Sequence, residues 1–87
     1  MANHPRTVKG YEGSLEQLVH AVGNMTYDQV ASFIEKLADD FKRQADADKN
    51  RGRIKLAKEL YAAAEKMYEA RDKMHLAWKI CEPYMKD

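Results

Sequence analysis

From Ile54 onward, Leu56, Leu60, Ala63, Met67, Ala70, Met74, Ala77 and Cys81 recur in alternating steps of four and three. This is the heptad spacing of a helix that presses one face against another helix. A second row, Ala57, Tyr61, Ala64, Tyr68, Arg71, His75 and Trp78, runs beside the first at the same spacing. The apolar face is therefore broad at first and rich in Ala, and a second helix can approach it closely. Glu82 precedes Pro83, which pushes it away from helical geometry and ends the helix near Cys81 or Glu82.

The segment before Ile54 supplies the partner helix. Thr26-Tyr27-Asp28-Gln29 has the form of a capping box, with Met25 and Val30 spaced as a hydrophobic staple. Val30, Phe33, Ile34, Leu37 and Phe41 then make one stripe, and Asp28, Ser32, Glu35, Asp39 and Lys42 occupy the other side. The stripe fades at Ala45, and Asp46 to Arg53 carry no large apolar side chain, so Asn50 and Gly52 predict a turn. One continuous helix is excluded by phase, because the stripe carried forward meets Asp48, Gly52, Lys55 and Glu59. Upstream, Ser14-Leu15-Glu16-Gln17 is a further capping box. It opens a short helix with Leu15, Leu18, Val19 and Val22 on one face, which Gly23 ends in a left-handed conformation. Residues 1–13 hold Pro5, Gly10 and Gly13 without apolar period and read as a flexible arm that needs a partner surface for order.

These patterns predict an all-α fold: an antiparallel helical hairpin plus a short N-terminal helix, together a three-helix bundle within one domain over residues 14–87. The helices are expected over about 15–22, 27–49 and 54–82. A chain of 87 residues has room for one modest core, and 45 % hydrophobic against 33 % charged residues is too apolar for a disordered chain. Met74, Leu76, Trp78, Ile80 and Tyr84 surround the end of the last helix, with Leu76 and Ile80 away from the seam. A helix apolar on all sides seeks burial on all sides, so these five residues are the expected partner or dimer interface. One cysteine, Cys81, closes no bridge within the chain, and the first residues lack the apolar run of a secretion signal. No stretch approaches the roughly 18 apolar residues of a membrane span. A cytoplasmic protein without membrane contact is expected.

Chemistry-bearing patterns are incomplete. Asp46-x-Asp48-x-Asn50 resembles the start of a calcium loop, but Gly52 falls one place late, Ala57 stands where a bidentate Glu is needed, and Lys49, Arg51, Arg53 and Lys55 repel a cation. Glu16 with His20 and Asp72 with His75 are carboxylate–imidazole pairs too few for a two-metal bundle. Cys81 sits on the seam, with neither a Ser-His-Asp order nor a phosphate-binding glycine loop elsewhere. Neither an enzyme nor a cofactor or metal is expected.

Charge is segregated along the chain although the net is only +1. Residues 11–40 hold six acidic side chains against Lys36, net −5, and residues 41–58 hold seven basic against Asp46 and Asp48, net +5. Some of this is expected to be neutralised within helices, by Asp39 with Arg43 and Glu69 with Lys73. The reading is a small non-enzymatic protein–protein interaction module, an adaptor, regulator or assembly factor, that acts as a homodimer and engages another protein. The alternative is a nucleic-acid-binding protein that uses the basic patch of Lys49, Arg51, Arg53, Lys55 and Lys58.

Overall fold

The computed structural model describes residues 4–85. Three helices follow one another, α1 (Leu15–Gly23), α2 (Tyr27–Asn50) and α3 (Ile54–Cys81), with a 3-10 turn over Glu82–Tyr84. Each bound lies within one residue of the range read from capping and periodicity. Among the described residues the fold is all-α, 78 % helix without strands, and consistent with a three-helix bundle.

α1 starts as its sequence dictates. The Ser14 hydroxyl accepts the Gln17 amide at 3.1 Å, and the Gln17 side chain accepts the Ser14 amide at 2.7 Å. Ahead of it, the Tyr11 amide closes a turn on the Val8 carbonyl. The Tyr11 ring lies across Gly13, where a Cβ would come within 2.6 Å of the phenol oxygen. Pro5 to Val8, Tyr11, Leu15, Leu18 and Phe41 line one pocket of about 580 Å³. The arm and the start of α1 therefore lie beside the middle of α2. Gly23 does not take the left-handed conformation expected of it; α1 runs through it to a right-handed Asn24, whose amide bonds the His20 carbonyl while the Met25 amide bonds that of Val22. Thr26 makes no side-chain cap bond either. Its hydroxyl instead helps hold the Asp28 carboxyl below the usual range, so the second capping box is not formed.

α2 and α3 form an antiparallel hairpin, and its turn carries the sequence signal in full. Gly52 adopts φ +81°, its amide bonds the Lys49 carbonyl, and the Arg53 amide reaches back to the Asp48 carbonyl at 2.8 Å. This paired closure of the last helical carbonyls is the Schellman arrangement, which needs the glycine at that position.

The line of closest approach departs from the expectation. The buried residues are Ala31, Ala38 and Ala45 of α2 with Ala57 and Ala64 of α3, and no large side chain among the described residues is fully buried. Both rows step by seven. On α3 the packed row is thus the second one read from the sequence, and the Leu56–Cys81 seam lies beside it. On α2 the stripe of large residues is likewise displaced to one flank, leaving Phe33 41 % and Leu37 38 % exposed. Ala45, where the stripe was expected to fade, is in the core. Small side chains decide the contact because they let two helix backbones draw together, and larger neighbours are then pushed to either side.

Replacing Ala38 by Leu should force the helices apart at their tightest point. Urea denaturation is expected to show a loss of about 1–3 kcal/mol, the usual cost of overpacking a filled site.

Candidate functional site

The Ala line divides the hairpin into two flanks of different chemistry. On the polar flank, Tyr61 donates its hydroxyl proton to the Asp46 carboxylate and Tyr68 donates to Asp39. One step of seven back along α2 and forward along α3 converts the first pair into the second, so the pairs form an antiparallel ladder. Arg71 continues it, with its guanidinium 5.0 Å from the centroid of the Tyr68 ring and 3.5 Å from Glu35. Lys42 lies 6.0 Å from the same ring centroid. The side of α2 read from sequence as merely polar is therefore a register device against α3.

Donation to Asp39, reinforced by loss of water, pushes the Tyr68 phenol up to about 12; Tyr61 is raised for the same reason by Asp46. Asp40 is held below its ordinary range by Arg43, 2.9 Å away, and by Gln44. Arg43 thus pairs with Asp40 and not with Asp39, which is spent on Tyr68. Glu69 lies 3.8 Å from Lys66 and not with Lys73, and Asp72 accepts from Arg71 at 3.0 Å.

The opposite flank is apolar. α2 contributes Val30, Ile34, Leu37 and Phe41, and α3 contributes Leu60, Met67 and Met74, all but Leu37 half-buried. Along the same edge Leu56 is 46 % exposed, and Ala63 and Ala70 are exposed as well. The start of α1 faces Phe41 across a pocket of about 580 Å³, and its Leu15 and Val19 are largely open. Of the residues expected at a partner surface, Leu76, Ile80 and Tyr84 are exposed, whereas Met74 and Trp78 are half-buried. The five do not form one patch, because Met74 and Trp78 turn toward the hairpin while Leu76 and Ile80 turn away.

At the hairpin turn, Lys49, Arg51, Lys55 and Lys58 are exposed and form no ion pair among the described residues. Arg53 leaves the set, since its guanidinium lies 3.0 Å from the Asp48 carboxylate. Asp46, Asp48 and Asn50 all belong to α2, where residues two apart point about 200° apart around the axis. Asp46 and Asp48 are moreover held by Tyr61 and Arg53, and no group of three metal-ligating side chains converges among the described residues. Cys81 is half-buried in a pocket with Gly23 to Tyr27 and Met85, none of which is a base that would activate a thiol.

Two outcomes follow from these flanks. A folded-state phenol pKa above its ordinary 10 means the native chain holds an extra proton over the unfolded one at high pH. The stability from the Tyr68–Asp39 bond is complete below about pH 10 and is lost as pH rises toward 12. Denaturation followed between pH 9 and 12 should show this fall, and Tyr68→Phe should flatten it. At the turn, four free cations give only weak phosphate contact, on the order of 10⁻⁴ M at physiological salt. Fluorescence anisotropy with duplex and single-stranded oligonucleotides should register binding at low salt that vanishes near 150 mM, a range where counterion release removes such affinity.

The chain matches no protein-family model, no curated protein and no solved structure, so its side chains are interpreted from their own geometry.

Proposed function

We propose that this chain is a small, non-enzymatic helical module for protein–protein interaction, acting as a homodimer. The observation that carries the reading is the surface left open. A folded monomer of 10.1 kDa exposes about 5,300 Å² by the usual scaling with mass. This chain exposes 7277 Å², an excess of about 2,000 Å². Stable obligate dimers bury from about 2,000 Å² to 5,000 Å² in total, or half of that on each partner. The excess is of the size that one interface removes from water.

Its chemistry supports the same reading. The core is five alanines, while Leu15, Val19, Leu56, Leu76 and Ile80 are each between 46 % and 73 % exposed. A chain that hides Ala and shows Leu and Ile has apolar area left to bury against a second surface. The site residues bring together no nucleophile with a base and no convergent ligand set, which favours a role in assembly over one in catalysis. The exposed Leu76, Ile80 and Tyr84 at the end of α3 are a further surface for another protein. The loss of Arg53 to Asp48 weakens the case for nucleic acid.

Light scattering at micromolar concentration should return about twice 10.1 kDa. A single species at the monomer mass, unchanged up to a hundred micromolar, would overturn the homodimer.

A further inference from the structure

The arm ahead of α1 is shaped by its two glycines. Gly10 takes φ +86°, and the Tyr11 amide bonds the Val8 carbonyl at 3.2 Å, so Val8 to Tyr11 form a turn with glycine at its third position. Gly13 leaves open the space that the Tyr11 phenol enters, since a Cβ there would lie 2.6 Å from its oxygen. Pro5 to Val8 are thereby brought back beside Leu15, Leu18 and Phe41. Yet the arm does not pack down. Among the described residues it makes no hydrogen bond to α1 or α2, and Val8 stays 49 % exposed. A space of about 580 Å³ lies between the arm and the helices.

The walls of that space define what fills it. Val8, Tyr11, Leu15, Leu18 and Phe41 make it apolar, and its volume falls within the range of small-molecule sites, about 300–1,000 Å³. Arg6 is the one charged residue in the lining; it is exposed and forms no ion pair among the described residues. Thr7 and Ser14 add hydroxyls. Glu12 and Glu16, the carboxylates nearest in sequence, are exposed and lie outside the lining. An apolar cleft with one unpaired guanidinium suits an apolar body that carries one anionic group, and the planar fork of Arg matches a carboxylate. Residues 11–40, net −5, repel a polyanion, which favours a single charge on a large apolar body over a phosphate.

We propose that this space is a binding site for a small apolar carboxylate, such as a fatty acid of medium chain length. The tail lies among Val8, Leu15, Leu18 and Phe41, and the carboxylate meets Arg6. Such a ligand displaces water from the apolar walls and gives the arm a surface to order against. The site is built from the arm, α1 and one residue of the apolar flank, Phe41, and does not depend on the homodimer.

Decanoate and decyltrimethylammonium carry similar tails and opposite charges, and calorimetric titration of each into the full chain tests the site. Decanoate should bind with a Kd below about 100 µM, and the cation about tenfold more weakly. Arg6→Ala should weaken decanoate by about tenfold, the share of one charge-assisted contact, and leave the cation unchanged. Val8→Asp puts a carboxylate into the lining at a position already half open to water. It should abolish decanoate binding while helical circular dichroism stays that of the parent chain. In the isotope-labelled chain, decanoate should shift the nuclear magnetic resonance signals of the Val8, Tyr11, Leu18 and Phe41 amides and leave those of Leu60, Met67 and Met74 in place. No decanoate binding up to about 1 mM, equal affinity for both charges, indifference to Arg6→Ala, or shifts centred on Leu60 to Met74 would each overturn the site.

Discussion

The contact on which everything else depends is the line of five alanines between α2 and α3. Methyl groups at Ala31, Ala38, Ala45, Ala57 and Ala64 let the two backbones come close, and the heptad step keeps them facing along the whole hairpin. Their own burial is a small term, about 0.8 kcal/mol for each carbon removed from water. The larger effect is geometric. With the centre of the interface filled by the smallest side chain, every larger residue must leave it for one flank or the other, and the sequence sorts them by polarity.

That sorting explains the two faces. Asp39, Asp46, Tyr61, Tyr68 and Arg71 go to one flank, where each tyrosine finds one carboxylate across the helix pair. Hydroxyl-to-carboxylate bonds of this type are directional, and a slip by one residue would leave both partners unpaired. The Ala line alone is permissive, since alanine offers the same methyl at every step. The polar ladder is therefore what selects one register among several that pack equally well. The cation–π contact of Arg71 with Tyr68 and its pairing with Glu35 extend the ladder toward the open end.

Much of this was legible in the chain before any coordinates. Ser14 and Gln17 announce α1, and Gly52 announces the hairpin turn, because both act through local backbone bonds that a few residues determine. The choice between two adjacent heptad rows on α3 was not local. Periodicity ranks residues by hydrophobicity and so promotes Leu60 and Met67 to the centre, whereas close helix approach ranks them by size and promotes Ala57 and Ala64. The same reasoning misplaced Phe33 and Leu37. Asp39 was assigned to Arg43 from spacing within one helix; Tyr68, 29 positions away in sequence, takes it instead, which only the packed hairpin makes possible. The candidate interface was legible as composition, in the apolar ring around the end of α3, but its division into residues that face the hairpin and residues that face water needed the packed row to be known.

Exposed apolar area measures how much a chain has yet to bury, but says nothing of the partner. Along the open edge of α3, Leu60, Met67 and Met74 alternate with Ala63 and Ala70, which is the heptad repeat itself. A repeat of that kind offers knobs and holes to a helix running in either direction, so the edge is apolar without naming what covers it.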